Sequence, residues 1–164
     1  RTGGDLTVSA LSGGTLEPHA LLATPADESS PRIAPDGRLL AYVSTQTGRA
    51  EVYVARMENV SAPWQVSQSG VWVDLQAHVG PMAWDRKSGA LYFADAARHL
   101  NSVSVTDGSS VKIGRPTLVA GAPDNIVALD VAPDGRLLLL CDESPAQAPL
   151  EVIEHWTTRA ATSR

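Results

Sequence analysis

Ala34-Pro35-Asp36-Gly37-Arg38-Leu39-Leu40 returns unchanged as Ala132-Pro133-Asp134-Gly135-Arg136-Leu137-Leu138. A degenerate copy lies between them, Met82-Ala83-Trp84-Asp85-Arg86-Lys87-Ser88-Gly89-Ala90-Leu91-Tyr92-Phe93. With Gly37, Gly89 and Gly135 as register marks, the chain repeats in steps of roughly 50 residues, the length of a unit holding several short strands. Within each exact copy, proline presets φ, aspartate tolerates the next position and glycine supplies the left-handed residue that ends a tight turn. A turn of this kind, followed by an alternating apolar run, predicts a β-hairpin. Repeated at this period, it predicts the blades of a β-propeller.

Working outward, the first full unit reads as four strands. Pro31 to Ala34 leads into the turn, Leu39 to Ser44 follows it, Glu51 to Arg56 comes after Thr47-Gly48-Arg49, and Trp64 to Ser67 closes the unit. In the second strand Leu40 and Tyr42 fall on one face and Leu39, Ala41 and Val43 on the other, so both faces are apolar. The second unit offers Pro81 to Trp84, Leu91 to Ala94, Asn101 to Val105 and Thr117 to Ala120. The third offers Ile126 to Ala132, Leu137 to Cys141 and Leu150 to His155, then a polar tail. The expected fold is all-β: about three four-stranded propeller blades, half of a six-bladed propeller, in one domain over residues 1–164. The blades are placed near 30–70, 78–121 and 126–156. Near the start, Asp5 to Ala10 reads as a surplus strand and His19 to Thr24 as one that closes the last blade. Three blades are too few for a ring, which takes about four to eight. Either the chain is about half of a longer propeller, or two copies form a six-bladed ring as a homodimer by strand exchange.

The stretch Ser30-Pro31-Arg32-Ile33-Ala34-Pro35-Asp36-Gly37-Arg38-Leu39-Leu40-Ala41-Tyr42-Val43-Ser44, with Gly48 and Glu51-Val52-Tyr53-Val54 after it, resembles the TolB-type propeller repeat, also called the WD40-like or PD40 repeat. Alanine stands at Ala34 where that repeat carries serine. Residues 111–119, 130–135 and 150–156 are similar to the closing segment of such bacterial propellers, with His155-Trp156 where Asn-Trp is usual, which points to an original C-terminus near Arg164. The resemblance implies a protein-binding scaffold rather than an enzyme, and a periplasmic or otherwise extracytoplasmic setting. Related propellers are also found attached to receptor-like kinases or to peptidases.

Composition narrows the rest. Of 164 residues, 13 are Lys or Arg and 18 Asp or Glu, giving a net charge of −5 with the cations scattered. No nucleic-acid footprint is expected from this, and no apolar run reaches the roughly 18 residues of a membrane span. The single cysteine, Cys141, follows an apolar run and reads as a core thiol. No nucleophile elbow, phosphate loop or zinc-type motif is present. No cofactor, metal or catalytic residue is therefore assigned. Asp36, Gly37, Asp134 and Gly135 read as turn formers, because a calcium loop needs further oxygen ligands at close spacing. A competing reading, a lactonase or hydrolase acting in the propeller tunnel, has only Arg32 and Asp130 as charged residues on the inner strands. The residues singled out for partner contact are Trp72, Asp74 and His78. They lie in the connection between the first two units, and such connections rim one face of a propeller.

Overall fold

The computed structural model describes residues 4–12, 14–74 and 79–142. Within them the chain is all-β, with no helix, and the strands form four antiparallel sheets. Blade 1 is a four-stranded meander: β3 (Glu28–Ile33), β4 (Leu39–Ser44), β5 (Glu51–Arg56) and β6 (Asn59–Gln65), bonded in that order. Blade 2 repeats it with β7 (Met82–Trp84), β8 (Ala90–Ala94), β9 (Leu100–Asp107) and an outer strand in two pieces, β10 (Val111–Ile113) and β11 (Thr117–Leu118). Both pieces pair with β9, one along Val105 to Asp107 and the other along Asn101 and Ser102. The break falls at Gly114-Arg115-Pro116, where proline has no N–H for the ladder. A third sheet pairs β12 (Ile126–Val131) with β13 (Leu137–Cys141). The further strand expected at Leu150 to His155 lies outside the described residues, as does the polar tail.

The start of the chain differs from expectation. The segment expected as a surplus strand, Asp5 to Ala10, pairs as part of β1 (Leu6–Ser12) along its whole length with β2 (Thr15–Leu22). The two make a hairpin beside blade 1. Leu6, Leu21 and Leu22 pack there against Leu40, Tyr42, Tyr53 and Ala55.

Both faces of β4 are buried, as its two interleaved apolar sets require. Leu40 and Tyr42 face the β1–β2 hairpin. Leu39, Ala41 and Val43 join Val52 and Val54 against Met82, Trp84, Leu91, Phe93, Val103 and Val105 of blade 2. The main core is thus the seam between two blades. The inner strands β3, β7 and β12 lie side by side, and Trp84 donates its indole N–H to the Arg32 carbonyl at 2.9 Å across that seam. At the other side Arg56 places Nη2 2.8 Å from Asp107 Oδ1, while Arg38 ion-pairs with Oδ2 at 3.0 Å.

The repeated heptapeptides build the same turn twice. Gly37 N–H donates to the Ala34 carbonyl, and Arg38 N–H to Asp36 Oδ1. Gly135 to Ala132 and Arg136 to Asp134 repeat both bonds. Gly37 and Gly135 have φ of 75° and 90°, the left-handed region that glycine enters without cost to a side chain. The middle copy is one residue longer. Asp85 accepts there from Ser88 Oγ and Lys87 N–H, which holds its carboxyl below the usual range.

Tyr42, stacked on Tyr53 with ring centroids 5.9 Å apart, has its phenol pushed up to about 12 by burial, with Glu28 and Tyr53 adding to the effect. A pKa raised in the folded state means that the fold favours the neutral phenol. That stabilisation is complete below pH 10, the ordinary phenol value, and is lost as pH rises from 10 through about 12. A phenolate absorbance titration is expected to show Tyr42 ionising late, together with loss of the strand circular dichroism. Ionisation of Tyr42 near pH 10 in a still-folded chain would contradict this burial.

Candidate functional site

At the end of the blades opposite the Asp-Gly turns, three sets of loops meet. They are residues 45–50 of blade 1, 66–74 and 79–81 between blades 1 and 2, and 95–99 of blade 2. Backbone bonds lock them: Val71 N–H donates to the Ala50 carbonyl at 3.0 Å, and Trp72 N–H to Ala94 at 3.4 Å. The third sheet is tied in by Ile126 N–H to the Arg98 carbonyl at 3.3 Å. Trp72 is half-buried at the centre of this rim, and the Arg98 guanidinium lies over its ring, 5.7 Å from the centroid. A cation on an indole face at that range is attracted by the ring quadrupole.

Arg98 reaches that position through an unusual backbone. Its φ is 65°, and its N–H donates to the Asp95 carbonyl. Gly48 does the same in blade 1, with φ of 88° and a bond to the Thr45 carbonyl. Blade 2 therefore carries an arginine where blade 1 has the turn glycine, and holds it in a region costly for a side chain. Asp95 holds the loop in shape: Oδ1 accepts from the Ala97 and His99 N–H groups and Oδ2 from Asn101 Nδ2. His99 lies between two carboxylates, 3.7 Å from Asp95 and 3.5 Å from Asp124. Arg98 Nη1 also stands 3.5 Å from Asp142. Sequence reasoning missed Arg98. The signal was the alignment of the two loops, Thr45 with Asp95 and Gly48 with Arg98.

The loop that carries Trp72 is anchored on both sides. Asp74, half-buried, donates its N–H to the Val79 carbonyl at 2.9 Å, and His78 lies outside the described residues. A Cβ on Gly80 would stand 2.8 Å from the Trp72 carbonyl oxygen, so only glycine fits there. Gly80 N–H donates to Ser30 Oγ at 2.6 Å, and Ser30 itself has φ of 54°. Of the three residues singled out from sequence, the structure places Trp72 and Asp74 on this rim. Asp36, Gly37, Asp134 and Gly135 lie in the turns at the opposite end.

No protein-family model matches the sequence, and no curated protein matches it. Among solved structures, the chain is similar to the crystal structure of TolB from Acinetobacter baumannii, with a TM-score of 0.48 and 13% identity. That match covers 85% of this chain and 44% of TolB, so the chain spans less than half the length of that protein.

Two grooves accompany the rim. One, about 620 Å³, opens between the outer halves of blades 1 and 2 and is lined by Gln65, Gln68, Asp95, Asn101 and Arg115 among others. The other, about 730 Å³, runs along the inner strands and carries Arg32, Arg86 and Asp130 beside Ile33 and Trp84. Arg86 thus adds to the two charged residues expected on that side. Among the described residues no three His, Cys, Asp or Glu side chains come together as a metal site.

Proposed function

We propose that this chain is a non-enzymatic binding scaffold of the TolB-type, PD40-like propeller kind, completed as a six-bladed ring by a second copy. It presents the rim around Trp72 and Arg98 to a protein partner. The observation that carries this reading is the bracing of that rim. Loops from consecutive blades are joined by main-chain bonds, and a half-buried tryptophan is held at their centre under an arginine. Tryptophan and arginine are the side chains in which binding energy concentrates. A rigid surface also gives up little conformational entropy when a partner docks. Asp74 adds a polar group at the edge of the patch.

The test compares wild-type and Trp72→Ala chains immobilised in equal amounts, with proteins captured from an extract of the source cells quantified by mass spectrometry. Truncating a central tryptophan costs about 2 kcal/mol, roughly a thirtyfold loss of affinity. The captured partner is expected to drop by that order while circular dichroism stays unchanged. Equal capture by both chains would remove the rim from consideration.

A further inference from the structure

The two ends of the blade row are complementary. At one end the third sheet stops at two strands among the described residues: β12 and β13, the inner half of a blade, with β13 bonded only to β12. At the other end β1 and β2 form a second two-stranded sheet, with β1 bonded only to β2 among the described residues. That hairpin lies on the face of blade 1 opposite blade 2, with β2 beside the outer strand β6 and β1 touching the inner strand β3. It packs on Leu40, Tyr42, Tyr53 and Ala55 of the middle strands β4 and β5 and leaves Ile33, at the end of β3, exposed.

The side chains match as well. On the third sheet Leu138 and Leu140 are 73% and 62% exposed. They stand opposite Asp130 and Ala128, on the face turned away from blade 2. On blade 1, Ile33 pairs with Leu40 and so lies on the hairpin side of the sheet, yet remains 57% exposed. Unpaired edges and exposed leucines of this kind invite strand addition.

The geometry points to one occupant: a second copy of this chain, whose β1–β2 hairpin adds to the edge of β13 that is unpaired among the described residues. Each hybrid blade then has β12 and β13 from one copy and β1 and β2 from the other, and it seats Leu138 and Leu140 over the partner's Ile33. Two such blades, with two complete blades from each copy, close a ring of six by a two-fold axis. This deepens the ring part of the reading above and is independent of the Trp72 rim. Loss of either leaves the other standing.

Crosslinking between copies tests it. Cys141, the only cysteine, lies on β13 and is half-buried. A second version, Val8→Cys with Cys141→Ser, carries its thiol on β1 instead. An equal mixture treated with a short bismaleimide is expected to give a two-chain product on a denaturing gel, while neither version alone gives it. Leu138→Asp, on the solvent side of the sheet, is expected to raise the dissociation constant at least a hundredfold with the strand signal retained. Absence of the mixed product with both versions folded would overturn the proposal. So would association unchanged by Leu138→Asp. The β13 edge would then belong to another occupant, residues 143–164 of the same chain or a separate propeller half.

Discussion

Glu51→Ala is expected to lower the free energy of unfolding by about 3 kcal/mol, the loss that follows when buried groups bonded to a carboxylate are left without it. Glu51 has no exposed surface. Oε1 accepts from Arg49 Nε at 2.5 Å and from Gly70 N–H at 3.0 Å, and Oε2 accepts from the Ser67 hydroxyl. Ser67 Oγ in turn accepts the Val52 N–H at 2.8 Å. The carboxylate therefore ties β5 to residues 67–70, the start of the connection that carries Trp72. Arg49 is 59% exposed, so the ion pair with it contributes little. The larger part of the loss comes from stranding Ser67 and Gly70. Glu51→Gln keeps the shape and one acceptor and is expected to lose about half as much. Urea unfolding of the three chains measures both, and a loss below about 1 kcal/mol for alanine would show that the network is not what holds this connection.

The second large effect is expected at Leu91. It is fully buried in the seam, on the β8 strand and paired with Trp84 across the ladder. Leu91→Ala removes apolar volume from a site walled by both blades, where neither sheet can collapse inward alone. The expected cost is about 3 kcal/mol, within the range for leucine truncation in a closed core. Leu118→Ala, on a residue 64% exposed in the outer strand, is the control and is expected to change stability by less than about 0.5 kcal/mol. Equal effects from the two would mean that the blades are not joined through this core.

How much of this could be seen in the sequence depended on periodicity. β4 and β5 were legible to the residue because both are buried on both faces between defined turns. The outer strands were not. β6 was expected at Trp64 to Ser67 and runs Asn59–Gln65, since an outer strand is largely solvated and shows no alternation. The outer strand of blade 2 was expected at Thr117 to Ala120, and its first piece, Val111–Ile113, lies ahead of a proline break. β3 begins at Glu28, a buried carboxylate that accepts the Thr24 hydroxyl, and no apolar signal marks it. Cys141, expected in the core, is half-buried because its strand lies at the end of the blade row.

The rim was half legible. Trp72 stood out as an aromatic in a connecting loop. Its partner Arg98 did not, because their contact depends on a left-handed arginine in a loop of a different blade. Glu51 looked like an ordinary strand-end charge, and only the folded chain brings Arg49, Ser67 and Gly70 to it.

The proposed ring requires two half-blades to find each other between copies, and the mass in solution tests that most directly. Size exclusion with light scattering is expected to give about 35 kDa, twice the 17.3 kDa chain, with dissociation only on dilution. A mass of 17.3 kDa at every concentration would contradict it.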